Sequence, residues 1–261
     1  MHERHINRKR YFEEQSRTSK NYYIPYIQKV TGFLPTNVLE VGCGEGGNLL
    51  PFAESGSETI GVDIDTSRIK QARTFFNEKD QKGIFIASDI FELRVLKGHF
   101  SLILIHDVIE HIENKALFLS GIKSYLSTKG VLFIAFPAWQ MPFGGHQQIA
   151  RGKLISHFPF IHLLPRSLYK WILKACGEKE DVVKELLSIK ATKCTIETFR
   201  NLVNSTGYRI ISQQLYFINP HYEVKFGLAP RKLNKIISSI PYLRNFFSTS
   251  CFYILGKENT K

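Results

Sequence analysis

Four groups of residues in this sequence could do chemistry. The first is a glycine cluster, Glu40-Val41-Gly42-Cys43-Gly44-Glu45-Gly46-Gly47. Glycines at such a turn let the backbone bend sharply and come close to a ligand. Gly42, Gly44 and Gly47 satisfy the Gly-x-Gly-x-x-Gly spacing of dinucleotide-binding turns, and Asp63, about 20 residues on, could accept hydrogen bonds from ribose hydroxyls. Glu40 argues against a dinucleotide: a carboxylate just before the first glycine opposes a pyrophosphate and suits an ammonium group. The second group, Ser88-Asp89-Ile90, supplies another acid placed to meet the edge of a base. The third is Asp107-x-x-Glu110-His111. Two carboxylates with an imidazole could hold Mg²⁺ or a similar ion, or could hydrogen-bond and shape a pocket floor. The fourth, Pro142-Phe143-Gly144-Gly145-His146-Gln147-Gln148, carries a histidine able to act as a general base or simply to structure its loop, with Gln147 and Gln148 available to orient a substrate and glycines suited to a close-fitting or mobile lid.

These groups need a frame, and the hydrophobic pattern supplies one. Asn37–Val41, Glu58–Asp63, Gly83–Ala87, Phe100–Ile105 and Gly130–Phe136 read as strands. Helical stretches at Asn48–Ser55, from Thr66 or Ser67 to about Glu78, and at Glu113–Leu126 separate them. Such alternation predicts a parallel sheet with helices on both faces, with ligands beyond the carboxyl ends of the strands. All four chemical groups lie at those ends. Pro137 breaks the pattern. Helices are expected at Pro165–Ala175 and Glu178–Lys190, and a helix starts near Thr195. Strands follow at Gly207–Phe217 and Cys251–Leu255, with a basic helical stretch between them after Pro230. The residues before position 36 read as one or two short helices.

The strings VLEVGCGEGGNLLPFA, GVDID, ASDIF, FSLILIHDVIEHI and GVLFIAFP, in that order and spacing, resemble the class I S-adenosylmethionine-dependent methyltransferases. The resemblance covers roughly residues 36–137, and 195–256 more loosely. It implies a Rossmann-like α/β fold: a seven-stranded, mostly parallel sheet whose last strand runs antiparallel. It implies S-adenosyl-L-methionine as cofactor, with Glu40, Gly42, Gly44 and Gly46 lining the methionine end and His106 near the methionine amino group. Asp63 would accept from the ribose, Ile64 would pack on the adenine, and Asp89 and the Ile90 backbone would meet its edge. The Asp107-Glu110-His111 spacing is similar to the acidic-acidic-His trio of metal-assisted ubiquinone-pathway and small-RNA methyltransferases. Those families have Glu at the first position, and the string recurs without a metal. No metal is therefore assigned here, and His146 and His111 are taken as the catalytic candidates. Two rivals remain open: an NAD-dependent oxidoreductase, and a cofactor-binding scaffold without catalysis.

Composition bounds the rest. The 261 residues are 43% hydrophobic, 22% charged and 13% aromatic, which excludes wholesale disorder and low-complexity architecture. No apolar run is long enough to cross a bilayer. The charged start, Met1-His2-Glu3-Arg4-His5, has no apolar stretch behind it, and Cys43, Cys176, Cys194 and Cys251 are far apart. Both point to a cytoplasmic chain with reduced thiols and no secretory signal. The formal charge of +12 is uneven: residues 31–140 carry ten basic and thirteen acidic residues, residues 141–261 eighteen basic and seven acidic. Aromatic and basic side chains interleave from His157 to Ala175. In the family that the sequence resembles, an insertion at this place builds the acceptor pocket, so residues 138–190 are expected to form a helical insert capping the substrate, between the cofactor-binding parts 36–137 and 191–261. The expected acceptor is a small or lipid-linked molecule methylated on oxygen, of which the basic flanks would suit an anionic one, with peripheral membrane contact through the insert. RNA fits less well, since no dense basic tract or RNA-binding module is present.

Overall fold

The structure, a computed structural model, describes residues 7–258; the charged start Met1–His5 lies outside them. An eight-stranded sheet runs through the chain in the order β3-β2-β1-β4-β5-β8-β6-β7. Its strands are β1 (Asn37–Val41), β2 (Glu58–Asp63), β3 (Ile84–Ala87), β4 (Phe100–His106), β5 (Leu126–Phe136), β6 (Tyr208–Ile218), β7 (Arg231–Lys232) and β8 (Ser250–Lys257). β3, β2, β1, β4 and β5 are parallel. β8 inserts antiparallel between β5 and β6. The expected seven strands are all present, and the two-residue β7 is an eighth, antiparallel to β6.

Period-two alternation sorts the core onto two faces. Leu39, Ile103, Ile105, Leu132, Ile134, Tyr253 and Leu255 point to one side. There they meet Phe118, Leu119 and Ile122 of α5 (Lys115–Ile122) and Ile196, Phe199 and Val203 of α9 (Ile196–Ser205). Val38, Leu102, Leu104, Phe133, Phe252 and Ile254 point to the other. That face is covered by α1 (Arg8–Thr18), α2 (Ile24–Thr31), α3 (Leu50–Glu54) and α4 (Thr66–Glu78). α1 and α2 are joined by a π-helical turn, Ser19–Tyr23, which buries Tyr23 against Phe133, Phe252 and His106. Three further helices follow β5: α6 (Lys153–His157), α7 (Arg166–Ala175) and α8 (Glu180–Thr192). They have a core of their own, including Ile155, Ile161, Tyr169, Leu173, Val183 and Leu186. α10 (His221–Phe226) follows β6; α11 (Lys235–Ser239) and α12 (Leu243–Phe247) precede β8.

Local differences from the sequence reading have local causes. α3 is shorter than Asn48–Ser55 because successive turns occupy the chain up to Leu49: Gly46 N donates to Cys43 O (2.9 Å) and Leu49 N to Gly46 O (3.1 Å). Asp65, not Thr66 or Ser67, caps α4, its carboxylate accepting from Ser67 N and Arg68 N. β5 starts at Leu126, four residues before the expected Gly130, through an irregular register opposite Phe100. Thr195 caps α9 as its type suggests, accepting from Thr198 N.

One contact ties α1 to the glycine turn. A Cβ on Gly47 would lie 2.4 Å from the Phe12 carbonyl oxygen and 2.7 Å from Gln15 Cβ. The Ser19 hydroxyl donates to the Asn48 carbonyl (2.8 Å) alongside it. Backbone cannot step aside as a flexible side chain can, so Gly47→Ala should lower stability by about 1–3 kcal/mol. Urea unfolding midpoints measure this; an unchanged midpoint would show that α1 is not seated there.

Candidate active site

The carboxyl ends of β1–β5 open into two joined cavities. The larger, of about 660 Å³, is walled by Gly42, Asp63, Ile64, Asp89, Ile90 and Val108, with His111 and the apolar Leu117 and Phe118 beyond. The smaller, of about 260 Å³, lies between α1, the loop after β5 and α10. It is lined by Arg8, Tyr11, Met141, His146, Tyr222 and Lys225, among others. Arg68 and Asp107 belong to both walls.

The glycine turn is built by hydrogen bonds that leave its concave side open. Gly42 N and Cys43 N both donate to Val62 O, at 2.8 and 3.1 Å. Gly42, Gly44 and Gly46 have φ of 74°, 54° and 81°, a region that favours glycine. The Asp63 carboxylate accepts from Gly44 N (2.8 Å) and from Asp65 N (2.9 Å). Ile64 is 83% exposed, presenting an apolar face without a partner. Asp89 accepts from Phe91 N (2.9 Å) and so caps its own short turn while lining the cavity.

Not every residue picked from the sequence reaches the cavity walls. Glu40 is buried in β1 behind the turn; one oxygen accepts from Asn48 Nδ2 (2.7 Å) and the other has no partner. Burial, with a smaller contribution from Asp63, raises its carboxyl to about 8 despite the Asn48 bond. Gly44 and Gly46 shape the turn from behind. His106 packs against Tyr23 with the rings tilted by 39°, its Nδ1 is 3.6 Å from Asp107 Oδ2, and it lines neither cavity. Other wall residues were missed. Arg8 and Arg68 approach the buried Glu45 at 3.1 and 3.9 Å, and Tyr11, Tyr222 and Lys225 complete the walls. Their only forewarning was the basic, tyrosine-rich character of the flanking segments. Asp107 takes φ 52°, which turns the chain sharply at the end of β4.

At the floor between the cavities, Glu110 meets two histidines. Its Oε1 is 3.7 Å from His146 Nε2 and 4.0 Å from His111 Nε2, and the two rings are perpendicular, 5.1 Å apart. Ligand atoms of all three lie within 4.8 Å of one another. Asp107 is not part of this group. Both Glu110 carboxylate oxygens are buried without a hydrogen bond. Burial, reinforced by Asp107, drives this carboxyl well above the usual range. Burial also lowers both imidazoles, His146 to about 4 with help from His111 and His162. The cluster therefore offers two neutral imidazoles and an acid without a partner, a donor set that fits a divalent ion. The loop carrying His146 is jammed in place. A Cβ on Gly144 would meet Trp139 O at 2.2 Å, and one on Gly145 would meet His162 Cβ at 2.2 Å. The glycines thus serve close packing. Gln147 spends its amide on Pro142 O and Phe158 O, leaving Gln148 at the cavity wall.

A family model described as a methyltransferase domain matches residues 35–182, more than half of the chain. The protein belongs to the class I S-adenosylmethionine-dependent methyltransferases. Among curated methyltransferases, the chain is similar to the ubiquinone biosynthesis O-methyltransferase of Bartonella quintana (30% identity, 44% of this chain, 48% of that protein). It is likewise similar to that of Nitrobacter winogradskyi (32% identity, 51% of this chain, 49% of that protein). The chain spans about half the length of the curated relatives it matches. Among solved structures, the plantazolicin methyltransferase BpumL shares the fold, with a TM-score of 0.55 at 15% identity over 97% of this chain and 88% of that one. The magnesium protoporphyrin IX methyltransferase of Synechocystis PCC 6803 gives 0.54 at 15% identity, over 94% and 84%. Both were solved with S-adenosylhomocysteine bound. Family membership sets aside the NAD reading of the glycine spacing and gives this methyltransferase S-adenosylmethionine as its cofactor.

Glu40 gives the stability of this methyltransferase a distinctive pH response. A carboxyl raised to about 8 on folding holds a proton that the unfolded chain has already lost above about pH 4.5. Its contribution to stability therefore falls as pH rises from about 4.5 to 8, by up to about 1.4 kcal/mol per unit. Glu40→Gln should flatten that slope and be the more stable form at pH 8. Parallel denaturation curves at pH 5 and 8 with the same slope in both proteins would refute it.

Proposed function

We propose that this enzyme transfers the methyl group of S-adenosylmethionine to an oxygen of a small or lipid-linked, anionic acceptor. Asp63, Ile64, Asp89, Ile90 and Gly42 hold the adenosine in the larger cavity. Gly44 and Gly46 keep the turn open at the methionine end, with Glu40 and His106 acting on that end from behind the wall. The acceptor occupies the smaller cavity, where Arg8 and Lys225 attract its negative charge. Residues 138–190 cap it, and residues 7–35 close the opposite side. The observation that carries this reading is the meeting of the two cavities at Asp107, with His146 on the acceptor side.

Methyl transfer from a sulfonium is an in-line displacement that needs alignment and exclusion of water more than force. An oxygen acceptor must also lose a proton. His146, neutral at physiological pH, can take it, and His111 beside it can pass it toward solvent. The oxygen acceptor is also supported by the names of the curated relatives. A second reading rests on the unpartnered Glu110 oxygens. With His111 and His146 they would hold a divalent ion, which when bound would lower the pKa of an acceptor hydroxyl.

One set of assays separates these readings. S-adenosylhomocysteine should bind in calorimetry where NAD does not; binding of NAD alone would end the proposal. His146→Ala should cut turnover about 100-fold or more while leaving donor affinity unchanged. EDTA should leave turnover intact if His146 acts alone, and abolish it reversibly if the Glu110 cluster holds an ion. Absence of any methylated product from lipid, sugar and quinone-precursor pools would favour a non-catalytic scaffold.

Contact with a membrane surface is supported by α7. Its inner side buries Tyr169 and Leu173, while Leu168 and the 66%-exposed Trp171 share its outer side, flanked by Arg166, Lys170 and Lys174. Among the described residues no helix is long and apolar enough to cross a bilayer. An apolar stripe bordered by basic residues lies in the interface of anionic lipid. Sedimentation with phosphatidylglycerol vesicles should fall several-fold for Trp171→Ala; equal partitioning of the two proteins would remove membrane contact from the reading.

A further inference from the structure

A cavity lined by more Lys and Arg than either active-site cavity lies outside that site. It lies where the open edge of the sheet meets α9, α11 and α12, has a volume of about 490 Å³, and shares no wall residue with the cofactor and acceptor cavities. Four cations line it: Arg200, Lys232, Lys235 and Arg244. No acid is among its wall residues. Each cation comes from a different element: α9, β7, α11 and α12 respectively. Chain-local composition therefore does not explain the cluster; the fold assembles it.

Two of the four are held ready. Arg244 is 12% exposed and pairs with Glu197 through Nε (2.9 Å), and its Nη1 donates to Ser238 O (3.3 Å). Glu197 is itself engaged by Asn245 and by the Tyr242 amide, so this carboxylate is fixed behind the guanidinium and is not a wall of the cavity. Arg200 is oriented by the Gln213 side chain (2.7 Å). A guanidinium immobilised on one side keeps its remaining N–H groups in a fixed fork, the geometry that suits a phosphoryl group. The two lysines provide mobile point charges. Lys232 is positioned by the short β7, which pairs with β6 at Tyr216. Among the described residues, neither lysine nor Arg200 makes an ion pair. Gathering like charges around a hollow costs repulsion that an anion would relieve.

We propose that this cavity is a second, independent ligand site that binds a phosphate ester, through the Arg200 and Arg244 guanidinium groups with Lys232 and Lys235 neutralising the remaining charge. Its volume exceeds what bare phosphate fills, so the phosphoryl group is carried on a larger body. That body is a soluble metabolite or the headgroup of a phospholipid. The exposed Ile236 and Ile240 on and just after α11 offer apolar surface to the latter. The assignment does not rest on the methyl-transfer reading.

Glycerol 3-phosphate titrated into the full chain at low salt, followed by amide and arginine side-chain NMR shifts, tests the soluble source. Phosphatidic acid against phosphatidylcholine vesicles, followed by sedimentation, tests the lipid. The double variant Lys232→Glu, Lys235→Glu alters two exposed side chains, and its amide spectrum reports whether the fold is kept. Saturable glycerol 3-phosphate shifts centred on residues 200, 232, 235 and 244, weakened at least tenfold in the variant, establish a soluble ligand. No such shifts, with a phosphatidic-acid preference lost in the variant, establish a headgroup. The proposal is overturned if neither probe binds, if the variant binds either probe as well as the parent, or if shifts spread unsaturated over all surface lysines. As a second measurement, Arg200→Gln, which leaves both lysines in place, should also weaken the phosphate response; no change would exclude the guanidinium fork.

Discussion

The single contact on which the active site depends is that between the Asp63 carboxylate and the Gly44 amide, 2.8 Å apart. It joins the end of β2 to the turn after β1, and the two N–H groups donated to Val62 O complete the clasp. With the turn so fixed, α3 begins late, Glu45 is driven inward toward Arg8 and Arg68, and α1 settles on Gly47 without a side chain between them. The Val108 side chain comes to rest where a Cβ on Gly42 would lie, 2.5 Å from Cγ2, so the turn also sets the floor loop that carries Glu110 and His111. The larger cavity, the floor and the N-terminal wall all follow from one turn geometry.

The parallel sheet was legible because its strands are short apolar runs separated by amphipathic stretches, a pattern dictated by burial on both faces. The cofactor crevice was legible because it follows from that topology: Asp63, Asp89 and the glycines sit where strands end. Contacts between distant segments were not. Arg8 and Tyr11 reach the smaller cavity only because α1 folds back over the turn, and nothing local in RKRYFEEQ encodes that destination. Tyr222 and Lys225 likewise arrive through α10. His146 was picked for its neighbourhood of glycines, but the reason for those glycines is different from a hinge: Trp139 and His162 leave no room for a Cβ. β7 is two residues long and has no periodicity to read.

Buried charge is distributed unequally. Glu40 and Glu110 each keep at least one carboxylate oxygen without a partner, a costly arrangement in a folded interior. Both stand close to the cavity walls, and both are raised toward the protonated form. The protein thus holds unsatisfied polarity near its crevice, while most of its excess positive charge is carried by the segment after residue 140. The two have different uses. The first favours whatever cation or proton donor enters the crevice; the second orients the whole molecule toward anionic surroundings.

α1 has a further meaning for turnover. It is at once a wall of the smaller cavity, through Arg8 and Tyr11, and the cover of the glycine turn, through Phe12 and Gln15. Both contacts belong to one helix, so a substitution that shifts it changes the shape of the smaller cavity and the seating of the glycine turn together.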